Sequence, residues 1–483
     1  MNAVNAVRQA APADHFFGEG AQQRELVCIQ GLGFVGAAMA AAVASARGPD
    51  GAPRYNVVGV DLPNKGGRER IAAINEGRFP FPTNDLKLTA AVEQAARQGN
   101  LVATDDEAAY GAASIILIDV NFDIDRSGGE ARFAVEPFKR ALGAIARHMR
   151  PDALLIVETT VPPGTCAKVV APEVARILAE RGLPTDQFLL AHAYERVMPG
   201  DAYFDSIVNF WRVYSGHSEA AADACEAFLA SIVNVEQFPL RRLGSTTASE
   251  TAKVLENSYR AVTIALMEEW GRFAEVAGVD LFEVISAIRV RPTHSNIRTP
   301  GLGVGGYCLT KDPLFAAVAA RDLFEQDVDF SFSTRAVEVN DRMPARSVQR
   351  LKEVLGGSLV DKQVLLLGLA YRPDVGDTRH SASFVFRDAA EAEGARLILQ
   401  DPLVRSGGDF DGEVLNDMPA PDGIDAIVFA VDHRDYREFD FVAWLDGRTP
   451  TIFDANGVLD KERRGQFRRA GCVVASLGRG DDL

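Results

Sequence analysis

Short apolar runs recur at residues 26–30, 55–60, 114–118, 153–157 and 188–190. They are rich in Val, Ile and Leu and continuous rather than alternating, the pattern of strands buried on both faces. Helix-like stretches lie between them or just before them, at the Ala-rich residues 37–46 and at 88–98 and 137–148. Strand and helix in alternation predict a parallel, doubly wound sheet. A second series of strands follows at 363–368, 396–400, 425–431, 451–453 and 472–476, with helical patterns before it at 313–324 and 347–355. Between the two series, residues 245–276 hold no Pro and no Gly except Gly271, and predict one long helix. Its apolar residues Val254, Leu255, Tyr259, Val262, Ile264, Ala265 and Met267 cover more than one face, so the helix should be buried and carry a subunit interface. The predicted fold class is α/β, with two Rossmann-like doubly wound parallel-sheet domains joined by a long central helix. The predicted divisions are an N-terminal extension over 1–24, a dinucleotide-binding domain over 25–240, a central helical dimerisation domain over 241–335, and a C-terminal domain over 336–483.

The first strand runs directly into Gly31-Leu32-Gly33-Phe34-Val35-Gly36, and the Ala-rich helix follows. Strand, GxGxxG and helix in that order form a dinucleotide fingerprint: a tight turn, close approach of backbone to a pyrophosphate, and close packing of helix on strand. The second strand ends in Asp61, which can accept hydrogen bonds from ribose hydroxyls and so favours NAD over NADP. Ligands of such sheets sit at the carboxyl ends of the strands. Thr159-Thr160-Val161-Pro162-Pro163-Gly164-Thr165 and Tyr194-Glu195-Arg196 both follow strands. Their hydroxyls and the Glu195 carboxylate either serve a substrate and its water or are ordinary turn and surface chemistry.

In the long helix Lys253 and Asn257 are i, i+4 and share a face, and Thr247 with Glu250 has the spacing of a capping box. Farther on, Pro300-Gly301-Leu302-Gly303-Val304-Gly305-Gly306-Tyr307-Cys308 leads to Lys311-Asp312. A cysteine behind such a glycine loop is either a small core residue or a thiolate nucleophile. The loop after the first strand of the second series holds Arg372 and Arg379, candidate phosphate ligands or solvated surface arginines. That half lacks GxGxxG and is expected to bind a nucleotide differently.

Composition narrows the class. The chain has 483 residues, 47% hydrophobic and 24% charged, with a net charge of −16 that disfavours nucleic acid as partner. No apolar run reaches the roughly 20 residues of a membrane span, and the N-terminus has no apolar core long enough for a signal peptide. We read that extension as poorly ordered. Cys28, Cys166, Cys225, Cys308 and Cys472 are odd in number and widely spaced, which argues against a disulfide framework and for a reducing, cytoplasmic compartment. No spacing suggests a metal site.

GLGFVG, TTVPPGT, YERVMPG, ETAKVLENSYRAVTIAL, PGLGVGGYCLTKDP, LGLAYRPDVGDTR and AVDHRDY occur in this order between Leu26 and Ser476. Together they resemble the UDP-glucose/GDP-mannose dehydrogenase family, the nucleotide-sugar 6-dehydrogenases. The resemblance implies an NAD domain, a central helical domain that makes a homodimer, and a C-terminal nucleotide-sugar domain. It also implies four-electron oxidation of the sugar C6 hydroxymethyl to a carboxylate with two NAD molecules, for polysaccharide precursors. By motif, Cys308 is the nucleophile that forms a thiohemiacetal and then a thioester. Lys253 and Asn257 hold the oxyanion at C6, Asp312 takes part in proton transfer, and Glu195 and Thr160 position the hydrolytic water. Gly31, Gly33, Phe34, Val35, Gly36, Asp61 and Thr160 fall to the cofactor, with Arg379 near the cofactor of a neighbouring subunit. Glu195, Arg196, Lys253, Asn257, Gly303, Gly305, Tyr307 and Arg372 fall to the substrate.

Some positions depart from the family pattern. Tyr194 stands where a Pro is usual before the Glu, and Asp119-Val120-Asn121-Phe122-Asp123-Ile124-Asp125 replaces a loop that commonly reads VPTP. Tyr307 stands where the N-acetylhexosamine branch often has His. The Arg that crosses the dimer has no clear match, and Arg289, Arg291 and Arg298 are candidates. YERVMPG and LENSYRAVTIAL resemble the UDP-N-acetylhexosamine branch more than the UDP-glucose branch. Alternatives are a UDP-glucose or GDP-mannose 6-dehydrogenase, a two-electron β-hydroxyacid dehydrogenase, and a nucleotide-sugar binding protein without turnover.

Overall fold

The computed structural model describes residues 13–18, 24–126, 131–405 and 412–480. They divide into two compact units, Met1–Val254 with Phe315–Val328, and Leu255–Leu314 with Asp329–Leu483. Most of the N-terminal extension lies outside the described residues. Within it, however, Asp14–Phe17 forms a helical turn, and Phe16 and Phe17 pack on the core of the first unit.

The first unit is built on an eight-stranded sheet. Its strands are β1 (Glu25–Gln30), β2 (Tyr55–Val60), β3 (Leu101–Thr104), β4 (Ile115–Ile118), β7 (Leu154–Val157), β8 (Leu189–His192), β9 (Val213–Gly216) and β10 (Arg241–Arg242); the two numbers between β4 and β7 belong to a hairpin, β5 (Asp123–Asp125) and β6 (Arg132–Ala134). The order is β10-β9-β8-β7-β4-β1-β2-β3, parallel except where β9 meets β8. Successive residues of a strand point to opposite faces. Val27, Ile29 and Val57 accordingly enter one apolar cluster, and Cys28, Val58 and Val60 another. Both faces are covered, as a parallel sheet requires. The sequence had no strand at β3, β9 or β10, which are short or polar. The hairpin falls in the loop that departs from the family pattern. It is anchored by Phe122, which is buried against Phe133, Phe138 and Phe315.

Strand order reverses direction between β1 and β4, the switch point at which doubly wound sheets bind ligands. Helix α1 (Phe34–Ser45) starts there, and Gly36 through Ala44 are all buried. Small side chains let this helix lie close on the sheet, which explains an Ala-rich run with no polar face.

Helix α2 (Thr246–Ala277) is one unbroken helix. Its residues up to Val254 belong to the first unit and those from Leu255 to the second. The second unit continues with α3 (Leu281–Arg289), the short α4 (Cys308–Lys311) and α5 (Ser331–Val354). The sequence pattern had placed only the last part of α5, because Pro344 interrupts it. A five-stranded parallel sheet follows, formed by β11 (Gln363–Leu367), β12 (Arg396–Gln400), β13 (Ala426–Phe429), β14 (Thr451–Asp454) and β15 (Val474–Ser476), in the order β12-β11-β13-β14-β15. Val364 and Leu366 enter one core cluster, and Leu365 and Leu367 the other. Here the switch point falls between β11 and β13.

Within the second unit the glycine loop of residues 300–306 lies on the loop that follows β11. Gly306 N–H donates to the carbonyl of Arg379 at 3.0 Å. Val304 and Asn340 exchange two hydrogen bonds, each 2.8 Å long. A Cβ on Gly305 would stand 2.3 Å from the carbonyl oxygen of His380 and 2.9 Å from Cβ of Tyr371. Backbone cannot retreat as a side-chain tip can. Gly305→Ala should therefore destabilise the second unit by about 1–3 kcal/mol, measured as a lowered urea midpoint. An unchanged midpoint would mean that the two loops do not meet this closely.

Candidate active site

The turn after β1 fits a dinucleotide. Gly31 has φ +94°, and a Cβ on Gly36 would stand 1.9 Å from the carbonyl oxygen of Gly31. Nothing lies within 4 Å of where a Cβ on Gly33 would be, so backbone is open to a ligand at the N-terminus of α1. Asp61 sits at the end of β2. Its carboxylate accepts from Leu32 N–H at 3.1 Å, Leu62 N–H at 2.7 Å, and Arg70 Nε and Nη2 at 2.7 and 2.9 Å. Arg70 thus engages both oxygens of this carboxylate, a partner the sequence reading did not identify. Phe34 stacks on Phe81, Val35 packs on the core beside it, and Thr160 is half-buried in the loop after β7.

Still in the first unit, Lys253 is buried and donates to the Glu195 carbonyl at 2.7 Å, with Glu195 Oε1 at 3.7 Å. Tyr194, in the place of the usual Pro, is buried and lies under two cations, Lys253 Nζ at 5.3 Å and the Arg196 guanidinium at 5.1 Å from its ring centre. Arg196 also bonds the Trp211 carbonyl at 2.7 Å and the Tyr194 hydroxyl at 3.1 Å. His192 is buried against Ser249, Nδ1 to Oγ 2.7 Å; burial and the charges of Lys253 and Arg212 lower its pKa to about 3, so it is neutral.

Glu250 is not half of a capping box. Its carboxylate accepts from Gly164 N–H at 2.6 Å and Cys166 N–H at 2.7 Å, which fixes the TTVPPGT loop onto α2. The loop's unpaired N–H groups offer better-placed donors than the helix start does.

In the second unit Cys308 is exposed as the first residue of α4, while Cys28, Cys166, Cys225 and Cys472 are buried. Arg260 is its neighbour. Burial lowers the Arg260 pKa; Cys308 and Glu256 act against that, and the nearby Arg298 and Arg372 add to it. Arginines around an exposed thiol favour the thiolate. Arg260 escaped the sequence reading, although 253, 257 and 260 share one face at helical spacing. Asn257 Nδ2 donates to Asp312 Oδ2 at 2.8 Å, and Lys311 Nζ to Asp312 Oδ1 at 2.9 Å. Asp312 is buried. Gly303 has φ +116° in the loop before Cys308. Arg372 is half-buried, and Arg379 is paired with Asp377 at 2.6 Å and lies over the Tyr307 ring at 5.1 Å. Of the three arginines considered for a crossing role, Arg289 holds the Ile297 carbonyl at 2.7 Å, Arg298 belongs to the group around Arg260, and Arg291 is exposed.

The loop after β11 has its own support. Asp401, at the end of β12, accepts from Leu369 N–H at 2.7 Å, Ala370 N–H at 3.1 Å and His433 Nε2 at 3.1 Å. Asp374 N–H donates to His433 Nδ1 at 2.9 Å, so the imidazole carries its proton on Nε2. Among the described residues no His/Cys/Asp/Glu group is arranged to hold a metal, and no helix is long and apolar enough to cross a membrane.

A glycine cradle at the switch point of one Rossmann-like unit, and an exposed cysteine among arginines in another α/β unit, define an NAD-dependent oxidoreductase of two α/β units. Models of the UDP-glucose/GDP-mannose dehydrogenase family match in succession, the NAD binding domain over residues 25–232, the central domain over 247–342 and the UDP binding domain over 365–461. The UDP-N-acetyl-D-mannosamine dehydrogenase of Pyrococcus horikoshii is 30% identical over 463 residues, 94% of this chain and 99% of that one. A solved structure of the UDP-D-ManNAc dehydrogenase from the same organism matches with a TM-score of 0.77 at 29% identity, covering 94% of this chain and 100% of that one. A UDP-glucose dehydrogenase structure from Pyrobaculum islandicum matches with a TM-score of 0.75 at 25% identity, covering 92% and 96%. The chain belongs to the UDP-glucose/GDP-mannose dehydrogenase family.

Glu250 gives a pH dependence. Burial raises its pKa from 4.5 to about 7, against the bonds from Cys166 and Gly164 that lower it. The folded state therefore holds more protons than the unfolded one between these values, and stability falls as pH rises through that window. The contribution lost is on the order of 3 kcal/mol. Glu250→Gln should flatten this part of the profile. A calorimetric melting temperature followed from pH 4.5 to 8 in both proteins checks it, and parallel curves would refute the assignment.

Proposed function

We propose that this enzyme oxidises the C6 hydroxymethyl of a nucleotide-sugar, a UDP-N-acetylhexosamine, to the uronate through a covalent intermediate on Cys308. The observation that carries the proposal is the singular state of Cys308, exposed beside Arg260 while the other cysteines are buried. The N-acetyl sugar follows the Pyrococcus horikoshii relative, named for UDP-N-acetyl-D-mannosamine. Product of this kind serves polysaccharide synthesis.

When bound, NAD supplies the hydride acceptor, and two are needed for each sugar. Gly31, Gly33 and Gly36 would hold its pyrophosphate, Asp61 its ribose, and Thr160 would also contact it. The first oxidation yields an aldehyde at C6. The Cys308 thiolate adds to that carbon and holds it as a thiohemiacetal. Loss of a hydride from the same carbon leaves a thioester, which water cleaves with release of the thiol. Lys253 and Asn257 would stabilise the oxygen of these adducts. Asp312, which orients Asn257, would exchange protons there, and Glu195 would orient the water. Arg372 would take the diphosphate, with Arg196, Gly303, Gly305 and Tyr307 bordering the sugar. Arg379, tied to Asp377, would face a cofactor in a neighbouring subunit.

With UDP-N-acetyl-mannosamine and excess NAD, the wild type should form about two NADH per sugar consumed and release no aldehyde to a trapping amine. Cys308→Ala should still bind UDP but lose uronate formation by orders of magnitude, with residual turnover stopping at the aldehyde. Uronate formation by the variant at close to the wild-type rate would remove the covalent role. Preference for UDP-glucose or GDP-mannose in the same assay would replace the sugar and leave the chemistry.

The enzyme is also proposed to be a homodimer through α2. Leu255, Tyr259, Leu266, Trp270 and Phe273 are all exposed and recur at helical spacing along one face. Light scattering at micromolar concentration should give twice the mass of the chain, and Trp270→Glu should shift it toward the monomer. A monomeric wild type would defeat this expectation.

A further inference from the structure

Three acids follow adjacent strands of the first sheet: Asp119 after β4, Glu158 after β7 and Glu195 after β8. Two of them have a cation. Glu158, wholly buried, is paired with the buried Arg212, which also donates to the Ala193 carbonyl at 3.2 Å. Glu195 has Lys253 at 3.7 Å. Asp119 has none. Both of its carboxyl oxygens are buried and meet no donor among the described residues, and the same is true of Glu158 Oε2. The two carboxyls lie within hydrogen-bond reach of each other, so one proton between them joins an Asp119 oxygen to Glu158.

Asp119 also forms the floor of the cofactor turn. Its N–H donates to the Gln30 carbonyl at 2.9 Å. A Cβ on Gly31 would stand 2.9 Å from the Asp119 carbonyl oxygen, and one on Gly36 would stand 3.2 Å from the Asp119 Cβ. A carboxylate there would put a negative charge under the place that takes a pyrophosphate.

We propose that Asp119 serves the dinucleotide site as a neutral acid, its proton held against Glu158, and that NAD binding is thereby linked to one proton. Burial and then the charges of Glu158 and Glu195 raise the Asp119 pKa well above the carboxylate range, while Arg212 opposes them. Burial raises the Glu158 pKa as well, but Arg212 opposes that by charge and by hydrogen bond, so the shared proton rests on Asp119. Above its titration Asp119 must regain a proton before the pyrophosphate can sit over it, since like charges in a site of low dielectric repel strongly. Asp119 is thus a positioning residue of the cofactor site that acts through its protonation state. The proposal rests on the Gly31–Gly36 turn as the NAD site.

The test is the dissociation constant of NAD by titration calorimetry from pH 6 to 10, in two buffers of different ionisation enthalpy. Wild-type affinity should weaken by up to about tenfold per pH unit above the titration, with uptake of close to one proton on binding. In Asp119→Asn, which keeps the shape and a donor to Glu158, the pH slope and the uptake should both disappear. The infrared C=O stretch of a protonated buried carboxyl should be present in the wild type and lost in the variant. Equal pH slopes in the two proteins, or no such band lost, would overturn the proposal. If Asp119→Asn does not fold, the wild-type band must itself vanish over the pH range in which NAD affinity falls; a band that stays while affinity falls also overturns it. Gly36→Ala separates the underlying reading, because retained NAD binding there would show that the turn is not the site.

Discussion

Parallel strands deliver every following loop to one edge of the sheet, and the cost of burying charge there governs both units. In the first unit that edge gathers the glycine turn and the acids Asp61, Asp119, Glu158 and Glu195. An isolated buried carboxylate is too costly to persist without a partner or a proton. Arg70, Arg212 and Lys253 each answer one of the acids. Strand order decides which cation can reach which acid: Arg212 precedes β9 and Lys253 stands on α2.

The second unit meets a similar problem with a histidine and backbone N–H groups. Asp401 ends β12 and is buried, which pushes its pKa up, yet His433 and the N–H groups of Leu369 and Leu403 hold it below the usual range. Leu369 and His433 lie in the loops after β11 and β13, on the two sides of the switch point, while Leu403 follows β12 itself. One carboxylate thereby fixes the start of the loop that carries Arg372 and, through His433 and Asp374, its middle. The glycines at 305 and 306 are then dictated by how closely the next loop lies against His380 and Tyr371.

The strands at 26–30, 55–60 and 363–367 were legible because both faces of each are buried, leaving a continuous apolar run. Strands β9 and β10 were not, since Arg, Ser and Gly dominate them and their place is set by pairing rather than pattern. Helix α2 was legible from spacing, and so was the shared face of Lys253 and Asn257. Glu250 was misread because its spacing from Thr247 is local, whereas its partners Gly164 and Cys166 lie far away in sequence. Spacing predicts neighbours along a helix and is silent about a backbone N–H from another loop.

The same limit explains Arg212 and Glu158, which nothing in the sequence connects. Glu158 precedes a recognisable motif, and Arg212 lies between Trp211 and the start of β9. Their pairing follows only from the order β7-β8-β9, which sets the arginine across one strand from the acid. Once that pair exists, Arg212 is no longer available to Asp119, and the buried Asp119 carboxyl must find a proton instead. The departure at Asp119 looked in the sequence like a change in a loop. In the fold it is a change in the charge held beneath the cofactor turn, because the backbone of this residue packs on Gly31 and its Cβ on Gly36. Its surroundings, and not its own type, decide that it works as an acid rather than as an anion.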